Sequence, residues 1–182
     1  MNFTKNKGNQ NPFYVHPELF LSNKFIYEPC GFICTSNPVS EPESSAYGAF
    51  KFSLNIIQIE FRVAKTTPTK NCHFVTLWKR IEKEPIAPYD IKDPVDLFVV
   101  FIREGDKFGQ FVFPKHVLVA NYIVSSDGKG GKRAIRVYAP WINTKSQQAS
   151  KTQNWQIKYF VDLSDKNEKL DFGHIRKLYV CR

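Results

Sequence analysis

The sequence predicts an α+β domain: a central mixed, largely antiparallel sheet of five to seven strands, flanked by helices. Three observations carry this expectation. Apolar and polar residues alternate over 50–54 and 57–63, the period of half-buried strands. Residues 97–102 form an unbroken apolar run, suited to a strand covered on both faces. Residues 146–162 begin with a serine cap and continue in good helix formers. The composition supports a core: 42% of the 182 residues are apolar and 15% aromatic, unlike a disordered chain.

Taken in order, residues 1–12 read as a flexible polar tail and 13–182 as a single domain. Residues 17–27 form a short amphipathic helix, with Leu19, Phe20 and Phe25 near helical spacing. Three prolines, a glycine and several hydroxyl residues make 28–42 a loop. Ser40, Glu41, Pro42 and Glu43 resemble a helix start, and Gly48 keeps that helix short. Strands over 49–54 and 57–63 come next, then a turn at 66–71 and a third strand over 72–80. Three strands at this spacing suggest an antiparallel meander. Residues 82–95 are a proline-rich connection. Residues 96–103 make the central strand, and 109–113 return after a turn. Pro114 starts a helix as its first residue, and the glycine-rich stretch 125–132 is a loop. A short strand covers 134–138, the long helix 146–162, and 165–182 are helical in part.

The net charge is +9. Residues 51–80 carry Lys51, Arg62, Lys65, Lys70, Lys79 and Arg80 against Glu60 alone. Residues 129–136 carry Lys129, Lys132, Arg133 and Arg136 with no acid. If the apolar side of 50–63 faces the core, Lys51 and Arg62 project from the other face. Singly, such residues read as solvated cations, and the tryptophans read as core. As a cluster without interspersed acids they point to an anion. Cations neutralise phosphates, and aromatics stack on bases for about 1–3 kcal/mol each. The expected partner is nucleic acid, single-stranded before duplex. Phosphate contacts are expected from Lys51, Arg62, Lys65, Lys70, Lys79, Arg80, Arg133 and Arg136, and stacking from Tyr47, Trp78, Trp141 and Trp155.

A metal-dependent nuclease is the alternative. Its carboxylates would be Glu43, Glu60 and Asp96, with Lys65 or Lys115 near the attacking water and Mg²⁺ or Mn²⁺ as cofactor. The acid-x-lysine triplet this needs is degenerate, because Glu60-Phe61-Arg62 places arginine in the lysine position. A protein-interaction adaptor without nucleic-acid affinity is the third reading. Other chemistries lack support. Cys30, Cys34, Cys72 and His73 contain no second tight pair and read as buried thiols and a scattered histidine rather than zinc ligands. The string GKGGKR lacks P-loop spacing, and there is no Gly-x-Ser-x-Gly. No apolar run approaches the roughly 18–20 residues of a membrane span, and the polar start carries no secretory h-region. Neither membrane insertion nor a resident metal or other cofactor is expected, and the cytoplasm is the expected compartment.

Several strings resemble a known family. Glu43-x-x-x-Tyr47-Gly48-Ala49-Phe50, FRVAKTTPTK (61–70), FVTLWKR (74–80), PYD (88–90), GQFVFPK (109–115), GKRAIRVY (131–138) and TQNWQ (152–156) look like the MepB family of small bacterial cytosolic proteins. The resemblance covers roughly residues 40–160. Asn71-Cys72 departs from it, where a glycine is expected in the turn. The resemblance implies a nucleic-acid-binding role and a restriction-endonuclease-like core. It also implies that members are sometimes encoded beside a multidrug efflux pump and its repressor. Its polar members here are Glu43, Tyr47, Arg62, Lys65, Lys70, Lys79, Arg80, Lys115, Arg133 and Arg136.

Overall fold

The computed structural model describes residues 12–67, 72–80, 85–164 and 170–180. Apart from Pro12, the expected tail lies outside them, as do Lys70 and most of the turn before Cys72.

A 3-10 turn (Pro12–Val15) leads into α1 (Pro17–Ser22) and a π turn over Asn23–Tyr27. Pro17 takes the first helical position, where its missing N–H costs nothing. Strand β1 (Cys34–Ser40) follows, inside the stretch that composition marks as loop. Its Pro38 and two register shifts are tolerated because β1 is the sheet's edge. The short helix at Pro42–Tyr47 is a 3-10 turn. It stops at Gly48, whose φ of +47° favours glycine and where an added Cβ would lie 2.8 Å from His16 and Val63.

Strands β2 (Phe50–Leu54) and β3 (Ile57–Val63) form the expected hairpin. After them come β4 (Lys65–Thr66), β5 (His73–Thr76), β6 (Trp78–Lys79) and β7 (Ala87–Pro88). Strands β8 (Leu97–Glu104) and β9 (Lys107–Pro114) make a long hairpin, followed by α2 (Lys115–Ala120). Pro114 is the extended residue before α2 rather than its first. Strand β10 (Ala134–Val137), α3 (Gln147–Gln156), β11 (Phe160–Asp162) and α4 (Phe172–Val180) complete the chain. Ser146 caps α3 by accepting the Ala149 N–H at 3.2 Å. The helix ends at Gln156 instead of 162, because residues 160–162 pair with the free edge of β9.

The main sheet has six strands in the order β1-β2-β3-β8-β9-β11, with only β3 and β8 parallel. This is a mixed, largely antiparallel sheet with helices about it, the expected α+β class. The meander does not extend to a third strand. Residues 72–80 leave the sheet, and β5 joins a second one in the order β10-β5-β4. The physical reason lies in β8. Leu97, Val99 and Phe101 enter one apolar cluster while Phe98, Val100 and Ile102 enter another. A strand buried on both sides needs an interior position, and it takes the one beside β3. The first cluster joins the main sheet to α1 and α4 through Leu19, Phe61, Val112, Leu178 and Tyr179. The second joins it to α2, β5 and β10 through Phe113, Leu118, Val75 and Val137.

His73 on β5 points inward and is fully buried, with neither ring nitrogen hydrogen-bonded among the described residues. Burial holds its pKa below the ordinary 6.5. The folded imidazole therefore stays neutral while the unfolded chain binds a proton. Stability falls as pH drops below about 6.5 toward the lowered folded value. In His73→Leu this increment disappears. Thermal melts at pH 7.5 and 5.5 should show a smaller loss of Tm in the variant than in the parent, and equal losses would assign the acid sensitivity elsewhere.

Candidate functional site

Strand β3 alternates as the sequence requires, with Ile59 and Phe61 on one side and Glu60 and Arg62 on the other. That second side is not solvent. Arg62 is 0% exposed and Glu60 2%, beneath the second apolar layer. Parallel pairing sets them beside Phe98 and Val100, and Tyr89 packs edge-on over Phe98 at 5.0 Å. The Arg62 guanidinium donates to Glu60 at 3.0 Å, to the Phe61 carbonyl at 2.9 Å, to the Tyr89 hydroxyl at 3.2 Å and to Glu41. Lys51, half-exposed on β2, pairs with Glu41 at 2.6 Å and Glu60 at 3.2 Å. Two cations and two carboxylates thus close on each other. Burial pushes the Glu60 carboxyl above its usual range, against the opposing pull of Arg62. Burial alone would lower the Arg62 pKa, but Glu60, Tyr89 and Glu41 hold it above the ordinary arginine value.

Arg62 is therefore not the surface cation that alternation suggested, and Lys51, though exposed, is held by Glu41 and Glu60. Other candidates are also engaged within the protein. Lys79 pairs with Asp93, and Arg80 with Glu43. Lys115 donates to the carbonyls of Ile91 and Asp93, both at 2.9 Å. Asp96 accepts the Gln58 N–H at 2.9 Å. Trp78 sits half-buried in a two-stranded ribbon opposite Pro88. Trp141 donates its indole N–H to Glu104 at 2.9 Å and packs against Phe160. Glu43, Glu60 and Asp96 thus occupy three separate contact sets. Among the described residues, no three His, Cys, Asp or Glu side chains gather as a metal-sized group.

The remaining candidates converge elsewhere. On the small sheet, Phe74 of β5 lies opposite Arg136 of β10 on one side and Lys65 of β4 on the other. Alternation sends His73 and Val75 into the core, so Phe74 faces outward with Lys65 and Arg136. Tyr47 joins this row: its ring lies 6.4 Å from Phe74, with the Lys65 ammonium 4.7 Å above it. Helix α3 stands across from β10. Gln156 fixes that spacing by accepting the Tyr138 N–H at 2.9 Å and donating to the Arg136 carbonyl at 3.0 Å. Between them runs a groove of about 400 Å³, bordered by Phe74, Lys132, Arg136, Tyr138, Gln148 and Trp155. It continues along α3 into a second hollow of about 380 Å³ beside Lys151. Among the described residues, no aspartate or glutamate lines either hollow. Lys132, Arg136 and Lys151 have no ion-pair partner among the described residues. Arg133 is exposed just ahead of β10.

Lys132, Lys151, Phe74 and Gln148 were missed as site residues. Phe74 was legible in principle, since period-two counting on β5 places it opposite to buried His73. Tyr122 lies beside the groove without lining it. It is 64% exposed between Asn121 and Ile123, which both line the inner hollow. Its φ of +57° is unusual for a bulky residue. Its backbone is approached closely by Gly130, where an added Cβ would come 3.0 Å from the Tyr122 Cα.

A family model for MepB-like proteins matches residues 41–162, the span that holds every groove residue named above. A solved structure of MepB superposes with a TM-score of 0.70 at 30% identity, covering 85% of this chain and 100% of that one. No curated protein matches significantly.

Removing one partner of a buried ion pair costs about 3–5 kcal/mol, whereas an exposed pair contributes about 0–1. Urea unfolding of Glu60→Gln should accordingly show a loss of several kcal/mol, and that of Arg80→Ala a loss within about 1. Equal effects would contradict the burial of the Arg62 network.

Proposed function

We propose that this chain, which belongs to the MepB-like family, binds single-stranded nucleic acid in the groove between β10 and α3. One observation carries the reading: Lys132, Arg136 and Lys151 share this groove with Phe74, Tyr138 and Trp155, and among the described residues no carboxylate pairs with or opposes them. An acid-free cationic channel attracts phosphates and releases their counterions. Aromatic walls supply faces on which unpaired bases stack, without regard to sequence. Tyr47 and Lys65 extend the same row along the sheet. The N-terminal turn of the ten-residue α3 borders the groove through Ser146, Gln148 and Ala149, which adds a favourable dipole for an anion. A duplex hides its base faces and would leave the aromatic walls unused.

Fluorescence anisotropy with labelled single-stranded DNA and RNA, at salt rising from 50 to 300 mM, tests this. Affinity should fall steeply. Arg136→Ala and Lys132→Ala should each flatten the log–log slope by about 0.7, the release expected per single-strand phosphate contact. Lys79→Ala and Arg80→Ala, whose cations are paired, should leave the slope unchanged. Absent or salt-independent binding would sink the proposal and favour a protein-interaction role. Strand cleavage on adding Mg²⁺ or Mn²⁺ would replace a binder with a nuclease.

A further inference from the structure

The groove is divided. Asn121, Gln148, Thr152 and Trp155 border both the inner hollow of about 400 Å³ and the outer one of about 380 Å³. Of these four shared residues Trp155 is the aromatic one, and its ring is held by packing against Phe113 in the core at 5.4 Å. Each hollow falls near the lower end of the roughly 300–1,000 Å³ typical of small-ligand sites, which suits one nucleotide and not a base pair. Cations are apportioned as well: Lys132 and Arg136 line the inner hollow, and Lys151 the outer.

The amide side chains along the groove differ in what they have left to offer. Gln156 is buried and bonded at both ends, to the Tyr138 N–H and the Arg136 carbonyl, so it is part of the wall. Gln148, exposed on the first turn of α3 where both hollows meet, makes no side-chain hydrogen bond among the described residues. Asn121 donates its Nδ2 to the Val117 carbonyl at 2.9 Å, which leaves its Oδ1 as an acceptor. A free amide offers a donor and an acceptor side by side, the pattern that pairs with a base edge.

We infer that the groove seats two consecutive nucleotides of one strand, one on each side of Trp155, and that Gln148 reads the edge of a base. This rests on the nucleic-acid reading above and goes beyond it, since a sequence-blind cationic channel needs neither a two-nucleotide limit nor a base preference.

Competition anisotropy at fixed 50 mM salt tests it. The competitors are 5′-phosphorylated mono-, di-, tri- and hexanucleotides of each base. The dinucleotide should bind at least tenfold tighter than the mononucleotide, and a third nucleotide should add less than threefold. Gln148→Ala, at an exposed position that leaves the core intact, should reduce the spread of affinities among the four hexanucleotides while leaving their mean affinity within about twofold. Trp155→Phe, which keeps packing on Phe113, should weaken the dinucleotide more than the mononucleotide. Affinity that climbs evenly with length, or a base preference untouched by Gln148→Ala, overturns this inference and leaves the general reading standing. A hexanucleotide that does not bind overturns both.

Discussion

A strand buried on both faces imposes its needs on its neighbours. Six consecutive residues of β8 are fully buried, three toward each side of the sheet, so both sides must be covered. The cover on the second side extends over β3, whose outward residues are Glu60 and Arg62. Stripping water from a guanidinium costs several kcal/mol unless charge and hydrogen bonds replace it. Glu60 alone is too little, because its own carboxylate is desolvated as well. Glu41 arrives from the segment before the 3-10 turn, Lys51 from β2 and Tyr89 from the connection to β8. Glu41 and Tyr89 thereby bond the buried guanidinium directly, and Lys51 joins through the two carboxylates.

The same requirement decides which cations are left over. Lys51, Arg62, Lys79 and Arg80 are paired with Glu41, Glu60, Asp93 and Glu43. Much of the positive charge between residues 51 and 80 is thus consumed inside the protein. Residues 129–136 contain no acid, and Lys132 and Arg136 meet none in the groove among the described residues, so their charge remains outward. The location of the cationic surface follows from this difference in pairing more than from local density of lysine and arginine.

Period-two alternation over 50–63 and the apolar run at 97–102 were legible, and so was the cap at Ser146, because each is a local pattern with one physical meaning. Strand β1 was not, since an edge strand accepts proline and serine that an interior strand rejects. Strand β11 was hidden because residues 160–162 satisfy a helical count equally well, and only the open edge of β9 decides between them. Alternation marked Arg62 as opposite to Phe61 but could not tell water from a second layer. The apolar run in β8 already implied that layer, and applying it to the adjacent strand would have moved Arg62 indoors. Lys65 and Arg136 were singled out by acid-poor charge clusters, and Tyr47 and Trp155 as aromatics that could accompany them. The turn between β4 and β5 was legible, but the pairing of β10 with β5 and the seating of α3 across from it are long-range and have no sequence mark.

Strand β5 holds the two halves of the molecule in register. Its four residues alternate, with His73 and Val75 in the core and Phe74 and Thr76 outward. Val137 faces His73 while Arg136 faces Phe74. A slip of one residue would exchange the faces, driving Phe74 inward and His73 into the groove. Burial of Val75 and Val137 therefore fixes the outward side of the sheet as firmly as the inward one. The groove needs no separate device to aim Phe74 and Arg136, because the packing that covers β8 also sets their direction. Trp155 connects the same two regions from α3, with its ring against Phe113 and its border on both hollows. Loosening the second core would thus displace the groove wall, whereas changes on the α1 and α4 side could reach it only through the intervening sheet.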